Sequence, residues 1–562
     1  MKQLQSGSAD KSVKPVVTIG SELAKRLSLS FDRMEGPEYL PAQVYASTEN
    51  NSQWPGDFAG RTILALAHLS RVTRRVPKHL EALLEELPSR LNSQGYLGEA
   101  YSGSGAPLFD EQQLSGHGWL VSGLMAAADL TGDLSWKHLA IRITTNLFLP
   151  LRGHLASYPT RPDARGRTGN ASGERIGQCR KWQLSSDIGC VFIAMEGLVA
   201  VYESTLESQY LALIEEMADA FANIDLIKAS MQLHASLTAA RQFLRCHDSV
   251  ERPALLEAAR QVYAQFRTHG MTENYANFNW FDRPASWTEP CAIVDALICA
   301  IELWRKTGDA SYLEDAHSIY YNALGYAQKP HGGFGLENCV GPEDDWLRNT
   351  TYDVTWCCNM RGAVGLATLV DAACLQSENA LTFTFYFDSS VRAEFPEGRV
   401  DLKLTTEYPY RGLVHLQVEA STVSLPKTLR FFLPGWADAN RVELRLNGAA
   451  IPLSNTAGFC VLTWLPTAGD KIDFSFPCGL RAEPALSALT RSGRYSLRHG
   501  PLMLGSAAST GVPDLGVLPD LGAGVYHNPA SGENLTPLNN MLMLTEGTAR
   551  RDCRRVLFEE PA

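Results

Sequence analysis

Apolar side chains recur every three or four residues from about Phe58 to Gln376, which is the period of amphipathic helices. Clear examples are Arg61–Val72, Leu114–Leu130, Gly189–Tyr202 and Ile293–Lys306. Several segments are joined by a Gly-Asp pair, as at Gly132-Asp133 and Gly308-Asp309, where the glycine can end one helix and the aspartate can cap the next. The pattern predicts paired antiparallel helices, in a closed (α/α) toroid or an open helical solenoid.

The apolar period changes to two after about Glu378, which is typical of half-buried strands. Alternating runs begin at Leu381, Val400, Val414, Leu429 and Val442. Turn sequences such as Asn447-Gly448 separate several runs, so an antiparallel β-sandwich is expected. We therefore predict a helical domain over residues 1–376 and one or two β-sandwich domains over residues 377–562. Irregular surface structure is expected in the last 50 residues, because residues 508–540 are rich in Gly, Pro, Asn and Ser.

Composition and charge narrow the choice of partner. The 562 residues carry a formal net charge of −11 and 45% hydrophobic side chains, which are ordinary values for a globular protein. No block of Lys and Arg provides the positive field that nucleic acid or an anionic membrane requires. We expect neither a secretory signal nor a membrane span. Twelve cysteines are too few for a disulfide scaffold, so we expect free thiols and a cytoplasmic location.

Polar and aromatic residues occur where several predicted helices begin. They are Trp54–Asp57, Gly116–Trp119 with His117, Ser186-Asp187, His234 and Phe278–Asp282. Because the inner helix ends of a toroid converge on one pocket, these residues would line a cleft of carbohydrate size. The alternative for each histidine or tryptophan, taken singly, is a satisfied core or capping residue.

Four residues have the chemistry of zinc ligands: Glu289, Cys291, Cys357 and Cys358. Three thiolates and one carboxylate complete a closed tetrahedral zinc site. Residues i and i+2 do not share a helix face, so Glu289 and Cys291 must lie in the loop or first turn before Ile293–Lys306. Thr355 can cap a helix from Trp356 to Leu369, which would place both adjacent thiols at a positive helix end that favours thiolates.

Other interpretations stay open on these residues alone. The adjacent cysteines can be buried thiols or a strained vicinal disulfide, and a zinc with three cysteine ligands can be purely structural. The protein is then another toroid enzyme, such as a polysaccharide lyase in which Tyr275 and either His234 or His117 move a proton. A third possibility is a non-catalytic helical-repeat protein that binds glycan or protein.

Glu273 adds a more specific signal, because it lies sixteen residues before Glu289 in the order Glu-x-Tyr, Glu-x-Cys-Ala and, about 65 residues later, Cys-Cys. In this order the sequence resembles the β-L-arabinofuranosidase family of glycoside hydrolases, family 127 (DUF1680). That family pairs an (α/α)6 barrel with C-terminal β-sandwich domains, in agreement with the two halves predicted above.

The resemblance implies a zinc-dependent, retaining, exo-acting glycoside hydrolase with a carbohydrate substrate. It places Glu273 on the family's general acid/base and Cys357 on its cysteine nucleophile, and the set Glu289, Cys291, Cys357 and Cys358 on its zinc ligands. His117 and His234 match histidines that line the family's sugar pocket. Asp187 and Tyr275 complete the candidate substrate contacts, and a homodimer stays open.

Two segments depart from the family pattern. Asn359-Met360-Arg361 follows the cysteine pair where the family usually has Pro-Pro-Asn, which would bring a guanidinium beside the site. His331–Asn338 replaces an aromatic and acidic segment that often precedes the pair. We expect both changes to affect the choice of sugar more than the chemistry.

Overall fold

The computed structural model describes residues 14–46, 54–100, 109–165, 173–250, 252–338, 345–349, 352–486, 489, 493–539 and 553–559. Twelve helices of eight or more residues lie in these ranges and are numbered here in chain order. They are α1 Ser21–Met34, α2 Asp57–Thr73, α3 Leu80–Arg90, α4 Glu111–Thr131, α5 Leu134–Ile143, α6 Met195–Thr205, α7 Ser208–Ala222, α8 Leu233–Val250, α9 Pro253–His269, α10 Pro290–Thr307, α11 Ser311–Ser318 and α12 Cys358–Ala373. Shorter helical segments are Pro37–Tyr39, Pro41–Ala46, Thr144–Phe148, Leu149–Leu151, Leu155–Ser157, Pro162–Arg165, Cys190–Ala194, Ile319–Leu324, Gly325–Ala327, Ala439–Arg441 and Leu515–Val517.

The even-numbered helices form the inner ring of an (α/α)6 toroid. Each packs against the next, and α12 returns to α2, so the ring closes. Each odd-numbered helix from α3 to α11 packs on the even-numbered helix before it, and α1 packs on α12 and α2. Gly60 lets α2 approach α4, because a Cβ at this position would overlap the backbone of Leu120. The closed toroid is confirmed over the open solenoid.

Four sheets complete the described fold. A seven-stranded sheet has the order Val16–Ile19, Ser389–Phe395, Gly398–Thr406, Gly412–Ser421, Lys471–Phe476, Glu443–Leu446 and Ala449–Ala450. A five-stranded sheet has the order Ser454–Thr456, Phe459–Trp464, Lys427–Phe432, Ala380–Phe383 and Cys374–Ser377. The third contains Trp287–Thr288, Glu337–Asn338, Trp346–Asn349, Leu480–Pro484, Arg494–His499, Leu502–Ser506, Asp520–Gly522, Val525–Asn528, Glu533–Pro537, Cys553–Arg555 and Phe558–Glu559, and the fourth contains Phe109–Asp110, Trp182–Ser185 and Arg175–Cys179.

The C-terminal part of the chain is more regular than its composition indicated. The prediction of irregular structure over the last 50 residues is wrong where Asp520–Gly522, Val525–Asn528, Glu533–Pro537, Cys553–Arg555 and Phe558–Glu559 form strands of the third sheet. The strands Asp520–Gly522, Val525–Asn528 and Glu533–Pro537 are three to five residues long and separated by glycine-containing turns. Each is too short for an alternation of apolar and polar residues to be recognised in the sequence.

Two element boundaries also differ from the sequence prediction. Helix α12 begins at Cys358, whereas the sequence predicted a start at Trp356. Trp356 is 62% exposed, and Cys357 occupies the N-cap position. The strand expected from Leu381 ends at Phe383.

Val16–Ile19 pairs with Ser389–Phe395 in the seven-stranded sheet, so the N-terminal part of the chain contributes to the sandwich. The domain boundary at residue 376 stays a prediction. In the described part of the chain, no helix is both long and apolar enough to cross a membrane.

His317 joins the helical and β-rich parts of the chain. It is buried on α11, its Nε2 donates to the carbonyl oxygen of Thr384 at 2.7 Å, and its Nδ1 lies 2.9 Å from the Tyr408 hydroxyl. Its ring stacks on Phe385 with centroids 4.4 Å apart. Burial lowers the pKa of His317 from 6.5 to about 4, so the imidazole is neutral in the folded protein.

We predict that this histidine makes the fold sensitive to acid. Because its pKa is lower in the folded than in the unfolded state, the stabilisation is complete above pH 6.5 and is lost as the pH falls towards 4, by about 3 kcal/mol. As the pH is lowered from 6.5 to 4, the temperature midpoint of thermal unfolding should therefore fall less steeply for His317→Gln than for the wild type. Replacement of the exposed His138 is the control, and parallel profiles for wild type and His317→Gln would contradict the assignment.

Candidate active site and metal centre

The predicted zinc ligands lie at the N-terminal ends of two neighbouring inner helices. Glu289 is the N-cap residue of α10, and Cys291 lies in the first turn after Pro290. Cys357 is the N-cap residue of α12, and Cys358 is its first residue. Proline is favoured at a first helical position, and helix N-termini stabilise negative charge. The local sequence therefore directs three thiols and a carboxylate to two positive helix ends.

The three thiols form one cluster. The sulfur atoms of Cys291, Cys357 and Cys358 all lie within 4.8 Å of one another, and those of the adjacent pair are 3.3 Å apart. Cys291 and Cys358 are buried, whereas Cys357 is partly exposed. Tetrahedral zinc–thiolate bonds of about 2.3 Å require sulfur atoms at this kind of spacing.

The pKa values of the cluster are shifted in opposite directions. Hydrogen bonds from Cys291 and Cys358 lower the pKa of Cys357 to about 6, so its sulfur is the one that is stabilised as a thiolate. Burial raises the pKa of Cys291 to about 11 and that of Cys358 well above its usual value.

Glu289 provides an independent indication of a cation. Its Oε2 atom is buried and has no hydrogen-bond partner among the residues that the structure describes. Burial together with the charge at Cys291 raises the pKa of the carboxyl well above its usual range. A buried, unpartnered carboxylate oxygen is costly unless a proton or a cation satisfies it. The donor set of three sulfur atoms and one carboxylate oxygen fits zinc.

A second group that can hold a metal consists of His234, Glu289 and Cys291, with ligand atoms also within 4.8 Å of one another.

Arg61 is a site residue that the sequence analysis missed. From α2 its Nη1 contacts the Cys291 sulfur at 3.5 Å, its Nη2 contacts His234 Nε2 at 3.1 Å, and its Nε donates to Asp57 at 2.7 Å. It is 4% exposed. The signal available in the sequence was an Asp and an Arg four residues apart at the start of a predicted helix, directly after Trp54-Pro55-Gly56.

Asp295 lies behind the cysteine cluster and binds two arginines, a histidine and a threonine. Its carboxylate accepts hydrogen bonds from His234 Nδ1 at 2.5 Å, Arg361 Nη2 at 2.6 Å and Thr238 Oγ1 at 3.0 Å. It also forms an ion pair with Arg241, whose Nε atom lies 2.8 Å away. Burial opposes its ionisation, but Arg361, Arg241 and His234 together lower the pKa of Asp295. The guanidinium expected beside the cysteine pair thus contacts this aspartate.

The same buried network continues away from the cysteine cluster. Arg241 Nη2 binds Glu196 at 2.6 Å, and Ser122 Oγ donates to Glu196 at 3.3 Å. Beyond them, at the opposite end of the inner ring, lies a cavity of about 430 Å³ that Glu196, Arg241 and Arg361 help to line. Ionic and polar contacts therefore connect side chains from all six inner helices.

Glu273 lies in the loop between α9 and α10 and is fully buried. Its Oε2 accepts a hydrogen bond of 2.6 Å from the main-chain N–H of Leu486, which follows the strand Leu480–Pro484. The segment that follows this strand of the third sheet therefore contacts the predicted acid/base directly. Two residues further on, Tyr275 packs under Arg498, with the guanidinium carbon 4.7 Å from the ring centroid.

The remaining predicted substrate contacts occupy different surroundings. His117 is fully buried, with its Nδ1 donating to the Gln113 carbonyl oxygen at 2.7 Å and its Nε2 accepting from Leu97 N–H at 2.9 Å. Both nitrogen atoms bind the main chain, which indicates a structural role, and its contact with substrate stays a prediction. Asp187 is buried, accepts from Gly173 N–H at 3.0 Å, and lies near enough to Glu289 to raise the pKa of that carboxyl.

The two departures from the family pattern contact each other. Asn359 Oδ1 accepts from Phe334 N–H at 2.6 Å, and Asn359 Nδ2 donates to the Tyr39 hydroxyl at 2.9 Å. Phe334 lies in the segment 331–338, which differs from the family pattern, and Asn359 directly follows the cysteine pair. The changes are therefore structurally coupled, and they affect the loop beside the candidate site.

Comparison with known proteins identifies the class of this chain as glycoside hydrolase. Residues 85–371 match the catalytic domain of family 127 β-L-arabinofuranosidase, and residues 380–478 match the middle domain of the same family. The chain belongs to the β-L-arabinofuranosidase family, glycoside hydrolase family 127. The resemblance seen in the sequence is confirmed.

Solved structures show the same fold over nearly the whole chain. A family 127 β-arabinofuranosidase has a TM-score of 0.71 at 14% identity, with 98% of both chains covered. A family 127 β-L-arabinofuranosidase from Geobacillus stearothermophilus T6 has a TM-score of 0.70 at 15% identity, with 97% of this chain and 100% of that chain covered. No curated protein matched the sequence.

We predict that Asp295→Asn strongly destabilises the toroid, because it leaves Arg241 and Arg361 buried beside a neutral group. Loss of one partner from a buried ionic network typically costs about 3–5 kcal/mol. Urea denaturation followed by circular dichroism measures this change, with Asp129→Asn at an exposed position on α4 as the control. A loss at Asp295 no larger than that of the control would contradict the role assigned to the network.

Proposed function

We propose that this protein is a zinc-dependent, retaining, exo-acting glycoside hydrolase that removes β-L-arabinofuranosyl groups. Cys357 is the nucleophile and Glu273 the general acid/base. Glu289, Cys291, Cys357 and Cys358 hold the zinc ion, and Asp187, His117, His234 and Tyr275 are the candidate substrate contacts. The catalytic domain spans residues 1–376 and β-sandwiches span residues 377–562, in a cytoplasmic protein whose reducing surroundings keep the thiols free.

One observation supports this proposal most strongly. Three thiols lie within 4.8 Å of one another at helix N-termini, beside a buried Glu289 oxygen that has no hydrogen-bond partner in the described part of the chain. Buried structural thiols need no carboxyl group with an unsatisfied oxygen next to them, whereas a tetrahedral zinc site uses all four groups. Membership of family 127 supplies the chemistry that such a site would serve.

Exposure distinguishes the two adjacent cysteines. Cys358 is 0% exposed, whereas Cys357 is partly exposed and has its pKa lowered to about 6. A nucleophile has to reach the anomeric carbon and has to be a thiolate when it attacks. Both requirements favour Cys357.

The proposed reaction follows from these residue types. The Cys357 thiolate attacks the anomeric carbon, the glycosidic C–O bond breaks, and protonated Glu273 donates its proton to the departing oxygen. Glu273 then removes a proton from water, whose oxygen displaces the sulfur, so the configuration is retained. When bound, zinc keeps thiols deprotonated near neutral pH and makes the sulfur a better leaving group. The Leu486 N–H holds Oε2 of Glu273, which fixes the orientation of the carboxyl.

We predict one zinc ion per chain, lost in Cys358→Ala because a ligand is removed. Metal analysis of protein purified under reductant measures the stoichiometry. Cys299→Ala is the matched control, because this buried thiol lies on α10 outside the cluster. A wild-type protein that holds no metal and gains no activity with zinc would exclude the proposed metal centre.

We further predict distinct kinetic defects for the two catalytic residues. In a screen of p-nitrophenyl glycosides, the wild type should hydrolyse the β-L-arabinofuranoside. Glu273→Gln should slow release of poor alcohol leaving groups by about 10²- to 10⁴-fold while sparing the first step on the p-nitrophenyl glycoside, because p-nitrophenolate hardly needs a proton to leave. The initial burst of p-nitrophenolate measures this first step. Cys357→Ser should abolish both reactions, since a hydroxyl is far less ionised than a thiol. Equal losses on both substrates in Glu273→Gln would contradict its role as the acid, and Glu302→Gln on α10 is the control.

A further inference from the structure

The two groups of potential metal ligands share Cys291 and compete for one ion. One group contains only sulfur ligands, from Cys291, Cys357 and Cys358, and the other contains His234, Glu289 and Cys291. Imidazole and thiolate are both good zinc ligands, so donor chemistry alone does not decide between the groups. The position of a neighbouring side chain, Arg61, decides which group binds the ion.

Arg61 lies between the shared cysteine and the histidine. One terminal nitrogen lies 3.5 Å from the Cys291 sulfur, and the other lies 3.1 Å from His234 Nε2. A guanidinium has only donors, so His234 Nε2 must accept and carries no proton. The other ring nitrogen, Nδ1, faces the Asp295 carboxylate at 2.5 Å and is the donor there. The lone pair that would bind a metal is therefore already used by Arg61.

Arg61 is itself held in place. Its Nε donates to Asp57 at 2.7 Å, and its guanidinium carbon lies 4.3 Å from the centroid of the Trp119 ring. His234 stacks on the same ring with an interplanar angle of 6°. To let His234 bind a metal, the protein would have to move a buried guanidinium away from a carboxylate and an aromatic face, which is costly.

We propose that Arg61 selects the ligand set of the metal centre: by occupying Nε2 of His234 it excludes the imidazole and leaves the ion to Cys291, Cys357, Cys358 and Glu289. This inference rests on the metal centre proposed above. Arg61 is a positioning residue, because it acts through His234 and Cys291. Its positive charge also partly offsets the excess negative charge of three thiolates and one carboxylate around a divalent ion.

X-ray absorption at the zinc edge of the full-length protein tests this directly, because it counts sulfur ligands and detects the scattering pattern of imidazole. The wild type should show three sulfur ligands, one lighter ligand and no imidazole. Arg61→Met should gain an imidazole and fall to two sulfur ligands or fewer. In Arg61→Met/His234→Gln the imidazole signal should disappear again.

His234→Gln alone keeps the test decisive if Arg61→Met does not fold. Because His234 is not a ligand in this account, the single variant should retain one zinc ion and three sulfur ligands. Imidazole scattering in the wild type, or loss of zinc in His234→Gln, would overturn the role of Arg61 and leave the metal centre intact. An unchanged ligand set in folded Arg61→Met would do the same. A wild-type protein without metal would overturn the metal centre itself.

Discussion

The charge balance around Asp295 is the constraint on which the inner ring depends. Its carboxylate is fully buried and binds His234, Arg241 and Arg361, and Arg241 extends the network to Glu196 and Ser122. Through His234 the network also reaches Arg61 and the cysteine cluster. Every inner helix contributes a side chain, so the ring is held in register by ionic and polar contacts as well as by apolar packing. Such a network is strong only while every member is satisfied.

The N-termini of the inner helices explain where the candidate metal ligands lie. Parallel inner helices bring their N-termini to one end of the toroid, and Glu289 and Cys357 occupy cap positions there. The partial positive charge of the helix ends favours thiolates. Leu486, which follows a strand of the third sheet, donates its N–H to Glu273, so the β-rich part contributes to the site. The catalytic centre proposed here is thus formed by both halves of the chain.

Much of this arrangement could be predicted from the sequence. The apolar period located inner helices such as α2, α4, α6 and α10 and five strands of the seven- and five-stranded sheets. The spacing of Glu289, Cys291 and Cys357-Cys358 located the cluster. Arg61, Asp295 and Arg241 were missed because each lies inside a helical pattern, where a charged residue is normally solvent-exposed; only the closed ring shows that they face its axis. The pairing of Val16–Ile19 with a strand 370 residues away, and the strands after residue 508, depend on tertiary contacts with no local signal.

The central claim is that Cys357, at the N-cap of an inner helix, is the nucleophile of this enzyme. The most direct measurement is covalent trapping with a β-L-arabinofuranosyl analogue that carries a thiol-reactive anomeric group, followed by peptide mapping by mass spectrometry. The account predicts one label per chain, on Cys357, and protection from labelling by excess arabinose. A label on Cys358, or on neither cysteine, would contradict it.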